Sequence, residues 1–129
     1  MSGTGLRAVV VEDDDDVRRL LEIVISQCGF AVTAVATGAD GTDAVRRDDP
    51  DLVTVDVGLP DIQGYRVVEQ LREFYSKHVI MVSARADDAD VTLGLHAGAD
   101  AYVTKPFRPR QLRERITDVM AVPPVADGN

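Results

Sequence analysis

The sequence predicts an α/β fold, a doubly wound five-stranded parallel sheet with helices on both faces. Two observations predict it. Short apolar runs alternate with longer stretches of three-to-four periodicity, five times over in 129 residues, which is the pattern of strands joined by helical crossovers. The runs are also nearly continuous, as in Ala8-Val9-Val10-Val11 and Leu52-Val53-Thr54-Val55, and strands buried on both faces read this way.

The first strand covers 6–12 and ends on Glu12. A helix over 15–28 follows, because Val17, Leu20, Leu21, Val24, Ile25 and Cys28 recur at steps of three and four and draw one apolar stripe. Asp14, Asp15 and Asp16 stand at its start, where acids cap free amides and oppose the helix dipole. A strand over 30–35, a helix over 38–47 and a strand over 51–56 come next. After a loop the alternation resumes with a helix over 64–75, a strand over 78–83, a helix over 87–97 and a strand over 101–104. The last helix, 109–122, repeats the stripe with Leu112, Ile116, Val119 and Met120. Crossovers between parallel strands are right-handed, so the helices cover both faces. Ligands of such sheets sit at the carboxyl ends of the strands where the winding reverses, between the first and third strands in the order 2-1-3-4-5.

The length fits one domain. The expected organisation is a flexible lead over 1–5, a domain over 6–122, and over 123–129 a tail or the start of a linker, opened by Pro123-Pro124. A net charge of -8 argues against direct nucleic-acid contact by this domain, since phosphate backbones are held by clustered Lys and Arg. The apolar runs fall far short of a membrane span, and no apolar targeting segment precedes the first strand. A cytoplasmic protein without membrane contact is expected. The one cysteine, Cys28, reads as core packing on the first helix rather than as a reactive thiol. His78 and His96 stand beside no metal-spaced partner and are expected at the surface or a strand edge, not as ligands.

The chemistry gathers where strands end. Glu12 and Asp13 close the first strand, Asp56 the third, the Ser83 hydroxyl the fourth, and Lys105-Pro106 follows the fifth. Helix capping accounts for Asp14 to Asp16 but not for Glu12 and Asp13. With Asp56 those two crowd three charges which, about 5 Å apart, repel by roughly 1 to 3 kcal/mol per pair. Such a cost points to a function, and carboxylates without a His or Cys cluster suit Mg²⁺, with Mn²⁺ as a substitute.

Five motifs in this order, Val10-Val11-Glu12-Asp13-Asp14, the run from Pro50 to Asp56, Leu59-Pro60-Asp61-Ile62-Gln63-Gly64, Ser83-Ala84-Arg85 and the run from Gly98 to Phe107, together resemble the receiver domain of bacterial two-component response regulators. The resemblance covers about residues 6 to 121. It implies a flavodoxin-like sheet and a phosphoryl group accepted on Asp56 from a sensor histidine kinase or phosphotransfer protein. It further implies Mg²⁺ held by Glu12, Asp13, Asp56 and the Gly58 carbonyl. Lys105 would pair with Asp56 before transfer and with a phosphoryl oxygen after it, while Ser83 bonds another oxygen. The Lys105-Pro106 bond would be cis. Tyr102 matches a switch aromatic that turns inward as the Ser83 hydroxyl moves, the alternative being a half-buried strand tyrosine with a wet hydroxyl. The readout would be the face of the fourth helix, fifth strand and fifth helix, which meets an output domain or partner protein. The domain would be a signalling phosphoacceptor, catalysing only its own phosphorylation and dephosphorylation.

Departures from the family pattern carry information. Glu12 stands where Asp is commoner, and its extra methylene suits contact with metal through water. Gly58 and Arg85 occupy positions that tune phosphoryl lifetime in the family, and neither is a water-positioning carboxamide or carboxylate. In the subgroup that dimerises through salt bridges on the readout face, matching positions here carry Val91 for a base, Gln111 for an acid and Ala101 for an acid, while Asp100 and Arg115 remain. That weakens the case for a phosphorylation-dependent homodimer of that type. Two other functions compete. A haloacid-dehalogenase-type phosphatase also uses a strand-end Asp and Mg²⁺ but wants an acid where Gly58 stands. A receiver-like interaction module independent of phosphorylation has no need of the complete set of Glu12, Asp13, Asp56, Ser83 and Lys105.

Overall fold

The computed structural model describes residues 5–124. The expected lead over 1–5 and tail over 123–129 therefore lie mostly outside the described residues. Ten elements alternate without interruption: β1 (Leu6–Val11), α1 (Asp15–Gln27), β2 (Phe30–Val35), α2 (Gly38–Asp48), β3 (Leu52–Val55), α3 (Gly64–Leu71), β4 (His78–Ser83), α4 (Asp88–Ala97), β5 (Ala101–Thr104) and α5 (Pro109–Met120). The strands form one parallel sheet in the order β2-β1-β3-β4-β5.

Side chains alternate across the strands and feed two cores. Val9, Val11, Val53, Val55, Val79 and Met81 pack with Val45, Val67, Val68 and Leu71 from α2 and α3 on one face. Ala8, Val10, Leu52, Ile80, Val82 and Val103 pack with Leu21, Val24 and Ile25 of α1 and Leu112, Ile116 and Val119 of α5 on the other. All four residues of β3 are buried, as a strand in the middle of a covered parallel sheet must be.

The predicted boundaries hold within a residue or two except at α3, expected to reach Tyr75. It ends at Leu71 because the chain tightens into i to i−3 bonds, Glu73 N to Gln70 O (3.2 Å) and Phe74 N to Leu71 O (3.0 Å). Tyr75 instead turns into the core, and its buried hydroxyl donates to the Pro50 carbonyl at 2.9 Å. At α5 the helix stops at Met120, two residues short of expectation.

Two side chains sit elsewhere than expected. His78, placed by the sequence at the surface or a strand edge, is buried at the start of β4, between β3 and β5. Its Nε2 donates to the Val122 carbonyl at 2.6 Å, so the ring ties the exit of α5 to the sheet. Cys28 caps α1 rather than lying inside it and is half-buried against the α1/α5 core. Burial pushes its thiol pKa up despite the nearby Arg113, in keeping with a packing role. His96 is exposed on α4, as expected. No helix among the described residues is long and apolar enough to cross a membrane.

Candidate functional site

The sheet's hydrogen bonding runs one step past the strand ends, and that step places the site. Glu12 N donates to Val35 O (3.0 Å), Asp56 N to Val11 O (3.0 Å) and Lys105 N to Ser83 O (2.8 Å). Glu12, Asp56 and Lys105 thus leave β1, β3 and β5 at the same edge of the sheet, each with its backbone held by the strand beside it. Asp13 follows Glu12 on the solvent side. One carboxylate oxygen from each of Glu12, Asp13 and Asp56 lies within 4.8 Å of the others.

Lys105 joins the acids. Its Nζ is 2.7 Å from Glu12 Oε1 and 3.3 Å from Asp56 Oδ1, so the expected pairing with Asp56 is present but shared, with Glu12 the nearer partner. Glu12 is fully buried and Asp56 is 7% exposed. Burial, together with the charge of Asp56, pushes the Glu12 pKa up to about 7, although Lys105 and the Asp14 amide (N to Oε2, 3.2 Å) pull the other way. Burial works against the Lys105 charge, yet Glu12 and Asp56 outweigh it and raise its pKa. One ammonium does not offset the negative charge of this pocket. A group of hard carboxylate oxygens with surplus negative charge and an exposed member fits a divalent cation that keeps some of its waters.

Loops around the site are pinned by residues the strand-end pattern does not reveal. The Arg18 guanidinium reaches back from α1 to the carbonyls of Glu12 (3.1 Å) and Asp13 (3.5 Å), bracing the acidic turn. Asp14 caps α1 by accepting from Asp16 N and Val17 N, both at 3.0 Å. Over Asp56, the loop from Gly58 to Gln63 is held at both ends. The Asp61 carboxylate accepts from Gly38 N and Ala39 N at 2.9 Å, which holds its pKa down. Gly64 N donates to Val57 O at 2.9 Å. A Cβ on Gly64 would collide with the Asp56 carbonyl oxygen and come within 2.9 Å of the Val57 Cα, so only glycine lets α3 start so close behind the acid. Gly58 is exposed, and a side chain there would begin 4.0 Å from Asp56 Oδ2.

On the other flank, Ser83 is buried and its Oγ accepts from Arg85 N at 3.1 Å. Tyr102 is buried, and its hydroxyl donates to the Arg85 carbonyl at 2.7 Å. The ring is therefore inward, and the wet hydroxyl entertained from the sequence is replaced by a bond to the β4–α4 loop. The Lys105-Pro106 peptide is cis, as expected. Of the readout-face residues, Asp100 is engaged within the chain, accepting from Val79 N (2.8 Å) and pairing with Arg72 (3.1 Å). Gln111 caps α5 by accepting from Arg108 N at 2.9 Å.

Sequence comparison matches residues 8–117 to the response regulator receiver domain. The chain is 46% identical over 110 residues to the transcriptional regulatory protein CseB of Streptomyces coelicolor, covering 85% of this chain and 47% of that protein. It is 40% identical over 110 residues to the DNA-binding response regulator MtrA of Mycolicibacterium smegmatis, covering 85% of this chain and 48% of that protein. A crystal structure of a putative response regulator from Chloroflexus aurantiacus superposes with a TM-score of 0.85 at 31% identity, covering 91% of this chain and 98% of that one. The fold and the match over most of its length define a phosphorelay signalling module. The chain belongs to the receiver domain family of two-component response regulators, and it spans about half the length of the curated relatives it matches.

Proposed function

We propose that Asp56 is the phosphoacceptor, taking a phosphoryl group from a phosphohistidine on a sensor histidine kinase or phosphotransfer protein. The donor's P–N bond breaks and a bond forms from phosphorus to an Asp56 carboxylate oxygen. Lys105 carries this reading: its ammonium stands between Glu12 at 2.7 Å and Asp56 at 3.3 Å, where it can follow the charge from carboxylate to phosphoryl oxygen. Ser83 accepts a backbone N–H through Oγ, so its own proton remains free to donate to a second phosphoryl oxygen. Mg²⁺, or Mn²⁺ in its place, held by Glu12, Asp13, Asp56 and the Gly58 carbonyl, would offset the charge gathered at the transferring group.

Tyr102, bonded to Arg85 in the loop that follows Ser83, is the switch, and the output is the face of α4, β5 and α5. A groove of about 400 Å³ on that face runs past Tyr102, Thr104, Gln111 and Arg115. The names of CseB and MtrA support a transcriptional, DNA-binding output for the whole protein, with DNA contact lying outside this acidic domain. A homodimer through the salt bridges of that face is disfavoured by Val91, Ala101 and the internal engagement of Asp100. The dehalogenase-type reading has no second acid at Gly58 to support it. Neither Gly58 nor Arg85 brings a carboxylate or carboxamide that would order water against the phosphoryl group.

Incubation with acetyl phosphate and Mg²⁺, followed by intact-mass measurement, should show one added phosphoryl group on the wild type and none on Asp56→Asn. Equal labelling of the two would remove Asp56 from its role.

A further inference from the structure

The fourth helix meets the sheet at a glycine. Among the described residues of α4 only Gly94 is buried. Leu93 and Leu95 beside it are exposed, and Val91 and Ala97 pack on the core only in part. A glycine inside a helix is unfavourable relative to alanine, because it loses more backbone freedom and brings no side chain to pack. The conformation here is ordinary helix and makes no demand for glycine. The neighbours do. A Cβ at Gly94 would lie 3.0 Å from Tyr102 Cδ2, 3.1 Å from its Cε2 and 2.9 Å from Met81 Sδ, all inside the separation at which such atoms pack without repulsion.

The two neighbours are not equally able to give way. Met81 pairs with Tyr102 across β4 and β5 and is fully buried in the core, so its thioether has no open space to enter. Tyr102 is buried at the rim, and it lines the groove of about 400 Å³ shared with Thr104, Gln111 and Arg115. Its ring is held inward at two places, at the tip by the Arg85 carbonyl, 2.7 Å from the hydroxyl, and along one edge by the bare backbone of Gly94. A side chain at position 94 would take the second place and leave the groove as the way out.

We propose that Gly94 is the seat of the switch ring, a positioning residue that admits Tyr102 beneath α4 by carrying no side chain. The inference rests on reading Tyr102 as the switch. Any Cβ at position 94 biases the ring outward into the groove, with or without a phosphoryl group on Asp56, and leaves the acids and Lys105 untouched.

The test is fluorine NMR of the full chain labelled with 3-fluorotyrosine, in which the three tyrosines give resonances assigned by Tyr→Phe substitution. In unphosphorylated Gly94→Ala the Tyr102 resonance should move toward its solvent-exposed position, with an inward-to-outward ratio reduced about ten-fold, as one methyl group forced into filled space requires. The Tyr75 resonance should stay in place, since its hydroxyl bonds Pro50 at the other end of the sheet. Denaturant melts give a second reading through a double-mutant cycle. With Tyr102→Ala in the background, Gly94→Ala should raise the folding constant about four-fold, the gain of alanine over glycine in a helix. With Tyr102 present it should give no such gain. An unmoved Tyr102 resonance in Gly94→Ala, or an equal gain in the two backgrounds, overturns the seat. If instead the wild-type Tyr102 resonance stays in place when Asp56 is phosphorylated, the switch reading fails, while the unphosphorylated spectra and the melts still judge the hold of Gly94 on the ring.

Discussion

The two ends of the sheet use charge in opposite ways. At the amino ends of β4 and β5, the Arg72 guanidinium donates to the carbonyls of Gly98 (2.9 Å), Tyr75 (3.2 Å) and Lys77 (2.6 Å) and to Asp100 (3.1 Å), and Asp100 also takes Val79 N. Charge and donors there are matched by partners within the fold. At the carboxyl ends, three carboxylates crowd together with one ammonium that pairs with two of them, and the most buried acid, Glu12, has a pKa pushed up to about 7. Both ends are tightly built. The matched end joins helices to sheet, whereas the mismatched end keeps a surplus of negative charge that suits a cation.

Breaking the matched end should cost the most stability. Arg72→Ala takes this donor from three carbonyls and leaves Asp100 with Val79 N alone, and it should destabilise the domain by about 3 kcal/mol. Arg72→Lys should recover only part, since an ammonium cannot reproduce the fork. Denaturant melts measure both, and labelling of Asp56 in the protein that remains folded should be unchanged. A loss in Arg72→Ala no larger than that of an exposed arginine would show that this end is not held by that hub.

At the mismatched end, the largest effect belongs to function. Lys105→Ala should retain Mg²⁺ binding yet lose the switching response, because in the proposed function the ammonium faces the phosphoryl group while the acids face the metal. A Mg²⁺ titration by calorimetry and a Tyr102 readout after phosphorylation separate the two. If Mg²⁺ affinity disappears with Lys105, that division of labour is wrong.

A smaller effect should appear in pH dependence without metal. Glu12 holds its proton to about pH 7 in the folded protein but only to its ordinary value near 4.5 in the unfolded chain. The folded state binds more protons between those values, so stability should fall as pH rises from about 4.5 to about 7 and then level off. Glu12→Gln should remove that slope. Chelator melts at several pH values compare the two chains, and parallel curves would contradict the surplus charge assigned to Glu12.

The parts of this comparison differ in how far the sequence shows them. Glu12, Asp13, Asp56, Ser83 and Lys105 are legible because each directly follows an apolar run, and parallel strands bring their ends to one edge. The β-α order and the two-sided burial follow from periodicity for the same reason. Arg72 is not legible, since its partners Gly98 and Asp100 lie across a strand and a helix and an arginine near a helix end looks like surface. The early stop of α3 shares that cause, because Tyr75 turns toward Pro50 by tertiary packing. His78 reads as a surface histidine until the exit of α5 returns to it. For Tyr102 the residue is legible but its inward state is not, since that depends on Gly94 and Arg85. Arg18 could have been noticed, because an arginine three residues after Asp15, at the start of an acidic helix, has carbonyls and carboxylates within reach.

Melting the wild type and Asp13→Asn, each in chelator and in Mg²⁺, tests the surplus of negative charge at the carboxyl ends most directly. Asp13 is exposed, so its share of the repulsion is modest, about 1 kcal/mol. Asp13→Asn should melt slightly higher than wild type in chelator, and it should gain much less when Mg²⁺ is added, because the ion stabilises the folded site in proportion to its affinity. If Asp13→Asn melts lower in chelator and still gains fully from Mg²⁺, Glu12, Asp13 and Asp56 do not act as one cation-attracting cluster.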